Sequence, residues 1–177
     1  MSKAIFVGGI LILACGEVIA ATPFDERFMR HEAQGSVYEL EFARLGQARA
    51  VRPEVRAYAS MVVNDHEAYS AALRDLAKLK GIVVPTSMDG EDERRLDRLA
   101  EMRGAKFDAA FLREARRING QSIRALRKEA SLTADTEIQI FVKRFLKVDE
   151  KHEADARALS ERIVVFGTQV VPRTADK

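Results

Sequence analysis

The chain has no tryptophan, one cysteine, four prolines and ten glycines in 177 residues. A lone thiol, Cys15, excludes a disulfide framework within the chain and any cysteine-based zinc site. Scarce proline and glycine in a chain that is 47% apolar favour a helical protein. Neither charge dominates: 29 Lys and Arg stand against 27 Asp and Glu, a net of +2 that gives no global reason to bind nucleic acid. Also missing are a Gly-rich phosphate loop, a nucleophile elbow and a His-Glu-x-x-His zinc motif. There is no internal repeat and no low-complexity tract. No catalytic residue is nominated, and nothing in these absences argues for an enzyme. What remains is one domain's length of chain, enough to bury a proper core.

The opening run MSKAIFVGGILILACGEVIAATPF reads as a targeting segment. Lys3 supplies a basic start, and Ala4–Ala14 is an apolar run too short to span a bilayer comfortably. Val18-Ile19-Ala20 then offers a signal-peptidase site, so export to the periplasm with cleavage near Ala20 is expected. The rival reading takes Ile12-Leu13-Ala14-Cys15 as a lipobox with Cys15 as a lipid anchor; Leu13 fits it poorly, and apolar residues continue past Cys15. An uncleaved anchor is the least favoured of the three. Cleavage removes one Lys and one Glu and leaves no thiol, which suits an oxidising compartment. The expected organisation is a signal peptide over 1–20, a helical bundle over 21–165 and a C-terminal tail over 166–177.

Val55, Ala59, Val62, Tyr69, Leu73 and Leu76 step by four and three, the mark of one buried helical stripe. His66 falls inside that stripe, where an apolar residue is expected. The same reasoning predicts helices over about Pro23–Ala50, Pro53–Lys80, Glu91–Arg103, Phe107–Ala130 and Asp135–Ile163. Pro23 and Pro53 suit opening turns, Gly81 a left-handed stop after Lys78 and Lys80, and Gly104 the close of the short charged helix. The first helix is expected to bury Phe28, His31, Gly35, Tyr38, Phe42 and Leu45, with Gly35 allowing a close helix approach. The Phe107–Ala130 helix is expected to bury Phe111, Ala115, Ile118 and Leu126. Tyr38, Tyr58 and Tyr69 read as core residues with satisfied hydroxyls.

The short link at Arg52-Pro53 makes the first two helices antiparallel neighbours. The run IVVPTSMDG and the charged helix after it are much longer than a usual helix–helix link. They are long enough to travel the height of a bundle, so the helices they join are expected to run parallel. The fold class is therefore all-α: a four-helix bundle of ferritin-like type, whose long crossover contains a short helix. In the tail, Val164–Phe166 and Val170–Val171 are too apolar to stay solvated, and part of it is expected to pack back on the bundle.

A second imidazole sits at a core position late in the chain, where Ile138, Phe141, Phe145 and Val148 run into His152. A di-metal bundle site takes a Glu from each of two helices and a Glu-x-x-His from each of the other two. Asp149 and His152 meet that spacing with a shorter carboxylate, since residues three apart reach one point from adjacent turns. His66 does not: Val63 stands three residues before it, and Asp65 lies about 100° round the helix. Glu39 borders the buried face of the first helix while Glu41 points to water. The Phe107–Ala130 helix offers Asp108 and Asn119 but no inward Glu or His. The candidate metal set is Glu39, His66, Asp149 and His152, with Asp65 as an addition, holding iron, manganese or zinc. His31 is a weaker candidate ligand. The competing reading, which the sequence favours, makes the histidines hydrogen-bonded core residues that fix helix register. Arg113, Arg116, Arg117, Arg124, Arg127 and Lys128 line one side of a helix, with Glu114 and Glu129 interspersed. That pattern reads first as a solvated, salt-bridged face, and otherwise as a contact for an anionic envelope surface.

The run GSVYELEFARLGQARAVRPEVRAYASMVVNDHEAYSAALRDLAKLKGI, the element Phe107-Asp108-Ala-Ala-Phe111-Leu112 and the late His152 together resemble an exported bacterial family catalogued as domain of unknown function 4142. The resemblance runs from about Phe28 to Ile163. It matches an early Glu at Glu39 and a Met–Asp-His element at Met61 and Asp65-His66, with one extra residue between them. It implies export and a ferritin-like bundle, and no established activity. The family usually carries a His where this chain has Asn119; if the family's histidines hold a metal, the resemblance implies that one ligand is lost here, an amide being a poor transition-metal donor. The expected function is a non-catalytic, exported envelope or binding protein with a buried His/carboxylate cluster. The alternatives are a metal-binding bundle with a redox or storage role, and an adaptor that uses the arginine face.

Overall fold

The computed structural model describes residues 21–167. The expected signal segment with Lys3, Cys15 and the Ala20 cleavage site, and the tail beyond Gly167, lie outside the described residues. Five helices make up the described chain: α1 (Pro23–Arg49), α2 (Pro53–Leu79), α3 (Gly90–Ala100), α4 (Gly104–Leu132) and α5 (Thr136–Gly167). Local chemistry sets their ends. The Thr22 hydroxyl accepts from the Asp25 N–H, the Asp25 carboxylate accepts from the Thr22 N–H at 2.6 Å, and Pro23 fills the first turn. Gly81, at φ +67°, closes α2: its N–H donates to the Lys78 carbonyl, and the Ile82 N–H to the Ala77 carbonyl at 2.9 Å. Asp89 caps α3 and Asp135 caps α5 through their carboxylates.

Three boundaries differ from the expected ones. α3 ends at Ala100 rather than Arg103, and Gly104 opens α4 instead of closing α3. Its φ of +61° makes the reversal between the two helices, a backbone conformation that costs a glycine little. α5 runs to Gly167, past the expected end at Ile163. Among the described residues no helix is long and apolar enough to cross a membrane.

Side-chain partners set the helix directions. The Asp108 carboxylate accepts from the Val51 and Arg52 N–H groups at 3.0 Å, tying the start of α4 to the end of α1. The Tyr38 hydroxyl donates to Glu114 farther along α4, so α1 and α4 are antiparallel. Tyr58, near the start of α2, donates to the His152 carbonyl late in α5, while Lys80 pairs with Asp135 and Glu137 at the start of α5. These contacts make α2 and α5 antiparallel as well, and α2 parallel to α4. The connection holding α3 travels the length of the bundle and packs against α1 and α4.

The core divides into two apolar clusters. In one, Phe42 stacks on Phe111 at 4.4 Å, beside Phe107, Val55 and Leu112. In the other, Tyr69 meets Phe141 and Phe145 edge-on, beside Phe28, Leu73 and Ile138. His66 packs on Tyr69 and His152 on Tyr58, so a polar layer joins the two. Phe111, Ala115, Ile118 and Leu126 are buried as expected, and all three tyrosine hydroxyls find acceptors.

Expectations about three residues are overturned. A Cβ at Gly35 would meet nothing within 4 Å, so this glycine makes no close approach. Gly46 does: a Cβ there would lie 2.3 Å from the Phe111 ring. His31 is exposed instead of buried, because the inward side of that turn is taken by Phe28, Met29 and Glu32. Finally, α4 does carry an inward Glu. Glu129, expected on the solvated face, is fully buried beside Asp25, where the end of α4 meets the start of α1.

Burial, then the Asp25 carboxylate, pushes Glu129 up to about 8. Glu32 adds to the push, Lys128 opposes it, and the Thr22 and Thr133 hydroxyls face Asp25. The folded chain therefore binds this proton between the unfolded value of 4.5 and about 8, while the unfolded chain has released it. Stability falls as pH rises through that window. Glu129→Gln should remove this slope, leaving the variant about 1–2 kcal/mol more stable than the parent at pH 8; urea unfolding at pH 5 and pH 8 measures it. Two glycine substitutions should move stability in opposite directions. Gly35→Ala should gain about 0.5–1 kcal/mol from reduced backbone entropy. Gly46→Ala should lose about 1–3 kcal/mol by driving a methyl into Phe111, as read from urea midpoints.

Candidate metal centre

α2 and α5 cross near their middles, and the two imidazoles meet there with ring centroids 5.6 Å apart. His66 is on the apolar stripe of α2; Asp149 and His152 are three residues apart on the inward face of α5. One ligand atom from each of His66, Asp149 and His152 lies within 4.8 Å of the others, and all three side chains are buried. This is the grouping that the Asp149-x-x-His152 spacing anticipates.

The other two candidates stand one step out. Glu39, on α1, sits 2.9 Å from His66 Nδ1 without the alignment of a straight hydrogen bond. Asp65, with its side chain 42% exposed, lies 2.9 Å from His152 Nε2. The angular separation of Asp65 and His66 is thus used rather than wasted: one residue enters the core and its neighbour reaches across the edge to the other imidazole. Each histidine carries its own carboxylate, an arrangement that fixes tautomer and ring orientation. With Nε2–H donating to Asp65, His152 presents the lone pair of Nδ1, a buried atom with no hydrogen-bond partner among the described residues.

Charges follow from these contacts. Burial opposes a proton on His66, but Glu39, Asp149 and Asp65 outweigh it and hold this imidazole above its ordinary range. Burial dominates at His152 and holds it below, against the pull of Asp65. Asp149 is pushed well above the usual carboxylate range by burial and by Glu39. Its Oδ2 accepts from the Ser122 hydroxyl at 2.5 Å, and its Oδ1 is buried with no hydrogen-bond partner. The cluster contains donor atoms that are withdrawn from water and not satisfied by the protein. A cation would satisfy them.

Ser122 is the residue the sequence reading missed. Its signal was periodicity: Ser122 continues the Ala115, Ile118, Asn119 stripe toward Leu126. Glu32, which accepts from the Tyr69 hydroxyl at 2.6 Å, was legible in the same way. Asn119 donates to the Ala115 carbonyl at 2.7 Å and lines a small cavity with Glu39 and His66, so it borders the cluster as a donor rather than a ligand. On the outer side of α4, Arg116 pairs with Glu153 and Arg127 with Glu150, as in a solvated, salt-bridged face. Arg117 instead grips the half-buried Glu114 that Tyr38 also contacts.

No curated protein matches this chain. Among solved structures, a DUF305 fragment from Deinococcus radiodurans superposes with a TM-score of 0.73, covering 81% of this chain and 99% of that one. Identity is 14%, so the likeness speaks to the helical fold alone. The family model described as domain of unknown function DUF4142 matches residues 16–159, which span the Glu39 helix, the Asp65-His66 element and His152. The chain belongs to the DUF4142 family.

Proposed function

We propose that this protein is an exported, ferritin-like metal-binding bundle that holds one divalent first-row transition ion, iron, manganese or zinc, on His66, Asp149 and His152. The observation that carries the reading is the convergence of those three buried donors within 4.8 Å. Two imidazoles and one carboxylate suit such ions better than calcium or magnesium, which prefer all-oxygen sites. Three protein donors also leave coordination positions open, which fits reversible holding of metal for storage or redox use. The antiparallel pairs joined by a long crossover support the ferritin-like assignment, and the opening residues support export.

The competing role, a polar cluster that only fixes helix register, predicts donors satisfied by one another. The unpartnered Asp149 Oδ1 and His152 Nδ1 weigh against it. Metal analysis of the untagged protein decides between the two. Wild type should carry close to one ion per chain after loading, and His66→Ala/His152→Ala should carry none. Saturating metal should also raise the stability of wild type by about 2.7 kcal/mol at a hundredfold excess over Kd, and leave the double variant unmoved. A wild-type protein that stays metal-free after loading, with the variant merely less stable, would return the histidines to a structural role.

A further inference from the structure

A buried cluster that exchanges metal needs a path from water. A cleft of about 110 Å³ opens between α1, α4 and the start of α3, and its lining includes Glu39, Ser122 and Tyr69 of α2. Glu39 and Ser122 belong to the cluster's own surroundings: Glu39 faces His66, and Ser122 donates to Asp149. A second cavity of about 10 Å³ shares Glu39 and Ile118 with the cleft and continues to His66. Glu39 and Ile118 therefore form a threshold between the open cleft and the imidazole.

The lining is chemically one-sided. Glu32, Glu39, Asp89 and Asp92 contribute carboxylates along it. Its two basic residues are His31 and Arg117, and Arg117 is clamped on Glu114. His31 is raised above its ordinary range by the Glu32 carboxylate 3.5 Å from its Nδ1, with Asp92 and Asp89 adding to the effect. Such a mouth attracts cations and concentrates them at the opening.

On the reading that His66, Asp149 and His152 hold a divalent ion, we infer that this cleft is the path by which the ion enters and leaves, with Glu39 passing it inward. Of the helices that wall it, α3 lies within the crossover and α4 follows it, so the connection that makes α2 and α4 parallel also builds one side of the mouth. Asp89 and Asp92 sit there because α3 begins there.

Stopped-flow binding of cobalt(II), followed by its visible absorption, tests the inference on the full chain. Open space at Gly35, which lines the cleft, admits a larger side chain. Gly35→Leu should slow association and dissociation by a common factor of about ten with Kd little changed, while Gly35→Ala should leave both rates near wild type. Asp89→Asn/Asp92→Asn keeps a competent helix cap. It should lower the association rate about threefold to tenfold at low salt and flatten its dependence on ionic strength. If wild type binds cobalt and both cleft variants keep wild-type rates, the path lies elsewhere and the metal reading survives. If wild type binds no cobalt at equilibrium, both fall.

Discussion

Withdrawing ionisable groups from water in the middle of a helical core costs several kcal/mol each unless every charge meets a partner, and this bundle is arranged around that requirement. Between two clusters of aromatic and aliphatic side chains lies a layer of His66, His152 and Asp149, flanked by Glu39 and Asp65. Each imidazole takes one carboxylate from a neighbouring helix. Asp149 takes a hydroxyl from α4. All four long helices contribute to the layer, so none can rotate or slide without breaking a partnership. The positions of Tyr58 and Tyr69 follow from the same constraint, because each ring packs on one imidazole while its hydroxyl donates to the His152 carbonyl and to Glu32, respectively.

The crossover makes the layer possible. A simple up-down array would set α4 antiparallel to α2. Here the segment containing α3 returns the chain to the other end, so α4 runs parallel to α2 and α5 antiparallel to it. That places Asp149 and His152 beside His66 and Ser122 behind Asp149. It also leaves α3 lying against α1 and α4, where its acidic start borders the cleft leading to Glu39. Helix order and access to the cluster are one feature of the topology.

The ends of the bundle have their own polar chemistry. Asp108 holds the backbone of the α1–α2 link, Lys80 and Asp135 join the C-terminal end of α2 to the start of α5, and Asp25 meets Glu129. The first two are opposite-charge or charge-to-backbone contacts. The third is a pair of acids that is comfortable only while it holds a proton, which makes that end of the bundle sensitive to alkaline pH in a way the others are not.

The sequence by itself determined the helices, their opening turns at Pro23 and Pro53 and the stop at Gly81, the apolar stripes and the core positions of His66 and His152. All of these rest on steps of three and four residues or on the chemistry of a single turn. It also determined that Asp149 and His152 reach one point, because they share a helix face. Which carboxylate serves which imidazole was decided only by tertiary structure: Asp65 and His152 are 87 residues apart, and their meeting depends on how α2 and α5 are rotated against each other. The same holds for Gly46 taking the close approach assigned to Gly35, for Glu129 turning inward and for His31 turning out. In each case the helical period allowed either face at the margin of the stripe, and the packing of the neighbouring helix chose between them.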